Sequence, residues 1–373
     1  MIYTFLHNII KMLNKVKSLI KNKIKSILKQ FNYLRKKQYI PDILGHINIE
    51  NTSICNLKCR FCAYDKRDLR EVPLQTMDFG LFKDITNQCL QLGYKNFGIT
   101  PVTGDVYMDK NINDKLDYLE TLKKLEGYYF YTNFIAITEK KIDKLLEYRK
   151  LTNLGLSIYG HDEESFINFS KGTKNSYKIL IKNLNYLNEK LKRKEYNFKI
   201  ELTQRSSRNF DLDNSTSDLS IILKELMLQK NIVYEYNYRF TNWGGLVEEK
   251  HISNLNIKFQ TKFTKKTGSC SLIYSRLSIG ANGIVNACAC RDANFSLQIG
   301  DIKKNDLKNI ISYKNPKYKE LINNQEKNNF SEVCSKCDFY RSVYEKPMPT
   351  WHLAKKKNNT YSLKEVISEL EKR

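Results

Sequence analysis

The chain has 373 residues, enough to bury a full hydrophobic core and somewhat more than one average domain needs. Its 63 Lys and Arg against 40 Asp and Glu give a formal net charge of +23, which favours acidic partners but carries no information about the fold. No run of about 18 apolar residues and no secretory signal pattern is present, so we expect a cytoplasmic protein that does not span a membrane. In that compartment its nine cysteines are more often metal ligands than disulfides.

The N-terminal segment, residues 1–38, is basic throughout, with ten Lys or Arg and no acidic residue. Apolar residues recur every three or four positions from Ile9 to Leu34, which predicts an amphipathic helix over residues 1–40. Two interpretations stay open. The helix lies on the anionic inner face of a membrane as a peripheral contact, or it packs on the body of the protein, or on a partner, with its basic face in solvent.

The next part, residues 41–245, alternates between short strands and helices. Strand-like runs lie at 46–50, 96–100, 128–132, 154–159, 198–203 and 232–236, and helical stretches at 77–91, 111–126, 138–150, 162–194 and 214–230. Six such repeats predict parallel strands joined by right-handed crossovers. Because a closed barrel needs eight repeats, we predict an α/β fold with a partial (β/α)6 TIM-like barrel, whose functional groups lie beyond the carboxyl ends of the strands.

Three cysteines follow the first strand in a Cys-x3-Cys-x2-Cys spacing: Cys55, Cys59 and Cys62. Three thiolates can hold three corners of a [4Fe–4S] cube and leave one iron open, whereas most clusters take four protein ligands. The alternative is a zinc site, which would need a fourth Cys or His nearby. Neither His46 nor His161 is placed to complete one.

This spacing, after the first strand of a partial barrel, resembles the signature of the radical S-adenosylmethionine (SAM) superfamily over residues 46–240. The resemblance implies that the open iron binds SAM and that an electron from the cluster cleaves it to methionine and a 5′-deoxyadenosyl radical, which removes a hydrogen atom from the substrate. It also implies an electron donor such as flavodoxin or ferredoxin. The SAM-binding residues implied by the resemblance are Phe61, Gly104, Asp105, Asn133, Ser157 and Lys171. Arg205 competes with Lys171 for the SAM carboxylate, since a guanidinium can bind a carboxylate through two hydrogen bonds.

A second group of cysteines lies in residues 246–350, where the β/α alternation stops and a hairpin-like segment turns near residue 282. A Cys-x12-Gly-x4-Cys segment followed by Cys-x2-Cys resembles the truncated SPASM, or Twitch, extension of radical SAM enzymes. The resemblance implies a small α+β domain with one auxiliary [4Fe–4S] cluster on Cys270, Cys288, Cys334 and Cys337. A structural zinc site is the alternative, Cys290 is left over, and residues 351–373 are predicted to form a helical tail.

These features predict a radical SAM enzyme with two [4Fe–4S] clusters that abstracts hydrogen from a substrate C–H bond. We expect oxidation or epimerisation of a sugar-type small molecule, phosphorylated or nucleotide-linked, in surface-glycan or natural-product synthesis. A SPASM-type peptide or protein maturase and a tRNA-modifying enzyme are the alternatives. Nucleic acid is not the expected partner, because the positive charge is spread out and no binding module is recognisable. No catalytic acid or base is assigned.

Overall fold

One sheet organises the chain in the computed structural model, which describes residues 2–259, 265–346 and 360–373. The strands of these residues are β1 (Ile40–Pro41), β2 (Ile47–Ile49), β3 (Asn96–Gly98), β4 (Gly127–Thr132), β5 (Leu151–Tyr159), β6 (Lys199–Arg205), β7 (Ile232–Asn237), β8 (Arg239–Phe240), β9 (Lys258–Phe259), β10 (Ser278–Ile279), β11 (Ile284–Asn286), β12 (Gln298–Asp301) and β13 (Thr360–Tyr361). The helices are α1 (Ile2–Leu34), α2 (Phe79–Gln91), α3 (Ile112–Thr121), α4 (Glu139–Leu145), α5 (Glu163–Ser170), α6 (Lys174–Leu191), α7 (Asp218–Met227), α8 (Glu249–Ile252), α9 (Leu272–Ser275), α10 (Leu307–Ile310), α11 (Pro316–Glu326), α12 (Glu332–Lys336) and α13 (Leu363–Glu371).

The main sheet has nine strands in the order β12-β11-β10-β2-β3-β4-β5-β6-β7. Strands β2 to β7 pair in parallel, and each of the six overlaps one of the predicted strand segments. The predicted α/β fold with a partial barrel is therefore confirmed. The hairpin β10–β11 was expected in a separate small domain. Instead β10 pairs in parallel with β2, with Ser278 opposite Asn48, and extends the barrel sheet.

Alternation along the strands separates a buried outer layer from a polar interior. On β5, Leu154, Leu156 and Ile158 are fully buried in the hydrophobic core. On the opposite face, Gly155 of β5 and Gly98 of β3 leave room for tyrosines of β4, the strand between them. A Cβ at Gly155 would lie 2.0 Å from Cδ1 of Tyr131, so no larger residue fits there. The barrel interior is thus filled in part by tyrosine rings.

The predicted helix over 162–194 is wrong as one element, because the structure contains two helices. Helix α5 ends at Lys171, whose φ of 53° is left-handed and cannot continue the helix. Helix α6 starts afresh after Thr173, whose side chain accepts a hydrogen bond from the backbone N–H of Ser176. The break places the end of α5 beside the cysteine loop.

The predicted helical tail is present in part. Helix α13 begins with a capping box between Ser362 and Glu365, and β13 pairs with β1. The rest of that prediction, residues 351–359, lies outside the described residues.

Candidate active site

The first cysteine loop is fastened at both ends to other elements. Near its start, the Ser53 backbone N–H donates to the carbonyl of Gln75 at 2.9 Å, and Arg67 donates to the Ser53 carbonyl at 3.0 Å. Farther along, the N–H groups of Lys58 and Arg60 donate to carbonyls at the end of α5, at 3.1 and 3.0 Å. These bonds explain how a loop without regular structure can present three thiols in one direction.

Cys55, Cys59 and Cys62 all line one cleft that opens to solvent, with a cavity volume of about 150 Å³. Burial raises the pKa of each of the three thiols, and the charges of Cys62 and Cys55 raise the pKa of Cys59 further. Thiols with raised pKa values become thiolates only when a metal replaces the proton. Within the described residues, no three Cys, His, Asp or Glu side chains are placed to hold a single metal ion. Three cysteine sulfurs that line one cleft suit an iron–sulfur cluster better than a single tetrahedral zinc ion, which usually takes four protein ligands.

The loop after β3 builds another part of the cleft wall, beside the cysteine loop. A Cβ on Gly104 would lie 2.7 Å from the carbonyl oxygen of Thr52, so glycine lets this loop lie directly against the cysteine loop. The buried carboxylate of Asp105 accepts hydrogen bonds from the backbone N–H groups of Asn133 and Tyr107, at 2.7 and 3.0 Å, and from the Thr132 hydroxyl at 3.0 Å. Asp105 therefore holds the end of β4 to this wall.

The structure places most of the remaining predicted SAM residues at the same cleft. Asn133 lines it and donates to Asn56 at 2.7 Å, with its amide nitrogen 4.0 Å from the Cys55 sulfur. Ser157, on β5, lines it as well. Phe61 is buried beside the cleft and packs against Phe240 at a ring distance of 4.5 Å, so its ring belongs to an aromatic cluster behind the wall.

Lys171 and Arg205 differ in their surroundings. Lys171 is 42% exposed and forms an ion pair with Asp65 at 2.8 Å. Arg205 ends β6, and its Nη1 atom is buried without a hydrogen-bond partner among the described residues. Its guanidinium lies 6.0 Å from the ring of Tyr159, which lines the cleft, and its charge opposes the effect of burial on the pKa of Cys59. Arg205 thus has an unused donor close to the cysteines.

The C-terminal cysteines are gathered by N–H donors. Arg341 N–H donates to the Cys270 sulfur at 3.4 Å, Gln325 Nε2 to the Cys334 sulfur at 3.3 Å, and Phe339 N–H to the Cys337 sulfur at 3.2 Å. Burial raises the pKa of Cys270 to about 12 and that of Cys337 to about 11. Sulfurs that receive N–H hydrogen bonds are typical of iron–sulfur ligands.

The fourth predicted ligand, Cys288, lies two positions before Cys290 in the chain. Burial raises the pKa of Cys288 well above its usual range, and the charges of Cys290 and Asp292 add to that effect. The charge of Asp292 also raises the pKa of Cys334, so this carboxylate stands near both. The thiols of Cys290 and Cys288 are therefore close enough for the charge of one to raise the pKa of the other.

Several functional side chains were missed in the sequence. Lys266 donates to the carbonyls of Cys334 and Ser335, and Lys29 reaches the same group from α1. Lys29 lies more than 200 positions before these cysteines, and Lys266, although only four positions before Cys270, is not part of the cysteine motif. The Tyr131 hydroxyl donates to Glu201 at 2.9 Å in the barrel interior, a pair that the alternation along β4 and β6 could have revealed.

Comparisons with known proteins match two parts of the chain. Residues 49–200 match the radical SAM superfamily, and residues 270–338 match SPASM, an iron–sulfur cluster-binding domain. No curated protein sequence matches the chain.

Solved structures with a similar fold include BtrN in complex with AdoMet and 2-DOIA, at 16% identity, with 79% of this chain and 92% of that chain covered and a TM-score of 0.50. SuiB of Streptococcus suis bound to the precursor peptide SuiA is similar at 16% identity, covering 70% and 63% of the two chains with a TM-score of 0.49. The anSMEcpe structure with bound AdoMet is similar at 16% identity, covering 87% and 95% with a TM-score of 0.48.

A partial barrel with three cysteines at the carboxyl end of its first strand, followed by an iron–sulfur domain, defines an iron–sulfur enzyme. The chain contains a radical SAM domain in residues 49–200 and a C-terminal SPASM domain in residues 270–338, the domain organisation of a radical SAM enzyme. SAM and [4Fe–4S] clusters are its cofactors, as predicted from the cysteine spacing.

Proposed function

We propose that Cys55, Cys59 and Cys62 hold the SAM-cleaving cluster. Their common cleft supports this, because the three cysteines line it together with Gly104, Asn133 and Ser157, which are predicted to bind SAM. SAM bound at the open iron would supply a 5′-deoxyadenosyl radical after one-electron reduction of the cluster. An external donor such as a flavodoxin or ferredoxin would provide that electron.

The SAM contacts follow from the same cleft. Gly104, Asn133 and Ser157 line the cleft together with the three cysteines and would contact SAM there. Arg205 is the better candidate for the SAM carboxylate, since its Nη1 is buried and unpaired while Lys171 is already bound to Asp65. Charge-assisted bidentate hydrogen bonds to a carboxylate are the interaction that an arginine provides best.

The auxiliary cluster would be held by Cys270, Cys288, Cys334 and Cys337. The N–H donors on three of these sulfurs support the assignment, as does the match of residues 270–338 to an iron–sulfur domain. Cys290 is the alternative to Cys288 as the fourth ligand, since the two are neighbours.

The substrate that this geometry supports best is a polar, sugar-type small molecule. The carrying observation is a charged group in the barrel interior, where Glu201 accepts hydrogen bonds from the Tyr131 hydroxyl at 2.9 Å and from Lys199 at 2.6 Å. Tyr131 itself lines the cleft, and its hydroxyl links the cleft to this group. A carboxylate, a phenol and an ammonium group together can donate and accept the hydrogen bonds that the hydroxyl groups of a sugar form. BtrN, whose complex contains 2-DOIA, has the same fold, which supports a small substrate.

The net reaction that we favour is oxidation of an alcohol to a ketone. The substrate carbon would lose its hydrogen atom to the SAM-derived radical, and the adjacent hydroxyl would lose its proton. The remaining electron would leave the substrate through the auxiliary cluster. Epimerisation is the redox-neutral alternative, and peptide maturation is the alternative substrate class.

The test uses the reconstituted enzyme with two panels, nucleotide sugars and short peptides. We expect a nucleotide sugar to stimulate 5′-deoxyadenosine formation and, when deuterated, to transfer deuterium into it. Glu201→Gln should abolish that stimulation and leave the slow substrate-free cleavage of SAM intact. Glu189→Gln, on the surface of α6, is the matched control. Deuterium transfer from a peptide, with none from any sugar, would overturn the substrate assignment.

A further inference from the structure

Helix α1 contacts the rest of the protein through its polar side. Between residues 16 and 34, only four side chains are buried or half-buried: Ser26, Lys29, Asn32 and Tyr33. Lys29 is 9% exposed, with its ammonium 5.1 Å from the centre of the Tyr340 ring. This packing is the reverse of the second sequence interpretation, in which the body of the protein would cover the apolar side.

The apolar side of α1 consequently faces solvent. Its large side chains are between 43% and 75% exposed, a level seen at few other positions of the described chain. The exposed apolar residues of the helix are Met12, Leu13, Val16, Leu19, Ile20, Ile24, Ile27, Leu28, Phe31 and Leu34. At 100° per residue, these positions form one continuous stripe along the helix, opposite Lys29. We call it the α1 stripe. An exposed apolar surface of this length marks an interaction site.

The charges beside the α1 stripe indicate what it binds. Lys17, Lys21 and Lys23 are exposed along its two edges, and residues 1–38 contain no acidic residue at all. A partner protein would present mixed charges, whereas a surface of anionic lipid presents an apolar layer beneath a uniformly negative one. No helix among the described residues is long and apolar enough to cross a membrane, so α1 would lie in the plane of the surface.

We propose that the α1 stripe binds the surface of an anionic lipid bilayer. The stripe enters the boundary between headgroups and acyl chains, and the flanking lysines contact the lipid phosphates. Because the polar side of α1 is held against the domain of the auxiliary cysteines, the whole enzyme is thereby oriented on the bilayer. The proposal stands independently of the substrate, since it rests on α1 alone.

The test is co-sedimentation of the reconstituted protein with liposomes. We expect binding to phosphatidylcholine liposomes that contain phosphatidylglycerol and little binding to phosphatidylcholine alone. The double variant Ile20→Glu/Ile27→Glu should lose at least about tenfold in binding, because burial of one isoleucine is already worth more than a tenfold change in an equilibrium. Both side chains are exposed, so the variant should keep its iron content and SAM cleavage.

Leu228→Glu is the matched control, since Leu228 is 85% exposed at the end of α7, far from the α1 stripe in sequence. It introduces the same kind of charge at an exposed leucine and should bind the liposomes like the unchanged protein. No sedimentation with either liposome would overturn the proposal, as would equal loss in Leu228→Glu. Dimerisation that disappears in the Ile20→Glu/Ile27→Glu variant, without liposome binding, would assign the stripe to a second copy of the chain instead.

Discussion

Arg205 and Lys171 show at the residue scale how surroundings distinguish two side chains that the sequence leaves as rivals. Arg205 is the last residue of β6, Lys171 follows α5, and both carry a positive charge. Lys171 sits in a left-handed conformation at the end of α5 and is neutralised by Asp65. Arg205 keeps a buried donor without a partner, and such a donor costs free energy unless a ligand binds it.

The corresponding prediction concerns SAM affinity. Arg205→Gln should weaken SAM binding by about 10- to 100-fold, the range expected for loss of a hydrogen bond to a charged group. Lys171→Met should change it less than about threefold, because an exposed ion pair contributes little. Equilibrium dialysis with labelled SAM, on protein of equal iron content, measures both. A larger loss in Lys171→Met than in Arg205→Gln would reverse the assignment.

Glu50 is a second residue whose surroundings determine its behaviour. Its carboxylate is fully buried and accepts a hydrogen bond from the Val102 N–H at 2.9 Å. Burial raises its pKa from 4.5 to about 7, against the opposing effects of that hydrogen bond and of Arg67. A raised acid pKa favours the folded state only while the group is protonated, so its contribution to stability is present below pH 4.5 and lost as the pH rises to 7.

We therefore predict that Glu50→Gln becomes more stable relative to the unchanged protein as the pH rises from 4.5 to 7. The difference in the free energy of unfolding should grow by up to about 3 kcal/mol across that window. Thermal unfolding under anaerobic conditions at several pH values measures it. A difference that is constant with pH would show that Glu50 titrates near its usual value.

At the scale of elements, local periodicity in the sequence predicted the barrel strands themselves but not every pairing between strands. All six barrel strands coincide with predicted segments, because buried and polar residues alternate along them and turns separate them. The break of 162–194 was missed because Lys171 adopts a conformation for which lysine carries no signal. The pairing of β10 with β2 was also missed, since it joins residues more than 200 positions apart.

One element-scale prediction concerns the buried ion pair that anchors α3. Lys115 donates to Asp109 at 2.6 Å and to the Met77 carbonyl at 2.5 Å, and both charged side chains are 1% exposed. Lys115→Met leaves a buried carboxylate unpaired and should destabilise the protein by about 3–5 kcal/mol. Adding Asp109→Leu should recover part of that loss.

Chemical denaturation of the three proteins in parallel gives these free energies. Lys144→Met, which removes an exposed ion pair with Asp117, serves as the control and should change stability by less than about 1 kcal/mol. If Lys115→Met were as mild as Lys144→Met, the buried pair would not anchor α3.

For the whole molecule, the sequence motifs identified the enzyme class but not the environment of its clusters. The closely spaced Cys55, Cys59 and Cys62 indicated the first iron–sulfur site, whereas the second was predicted from its resemblance to the SPASM extension, with zinc as the alternative. The positive groups around the C-terminal cysteines come from separate parts of the chain. Lys29 belongs to α1, whereas Lys266 and Arg341 flank the SPASM domain on either side. Only the folded chain brings them together.

That cationic environment predicts a redox property of the auxiliary cluster. Removing the charge in Lys266→Met should lower the midpoint potential of the cluster, because reduction adds negative charge that the lysine stabilises. Lys308→Met, at an exposed position of the same domain, should leave the potential unchanged. A redox titration followed by electron paramagnetic resonance compares the two. An unchanged or higher potential in Lys266→Met would contradict the proposed role.

The central claim is that this chain cleaves SAM at a cluster on Cys55, Cys59 and Cys62, with a second cluster in its C-terminal domain. Anaerobic reconstitution, iron and sulfide analysis, and an assay of 5′-deoxyadenosine after reduction in the presence of SAM test it most directly. Two [4Fe–4S] clusters correspond to about eight irons per chain. We predict that content together with 5′-deoxyadenosine formation, which Cys55→Ala should abolish and Cys89→Ala, in the core, should retain. Bound zinc, or no SAM cleavage at full iron loading, would contradict the account.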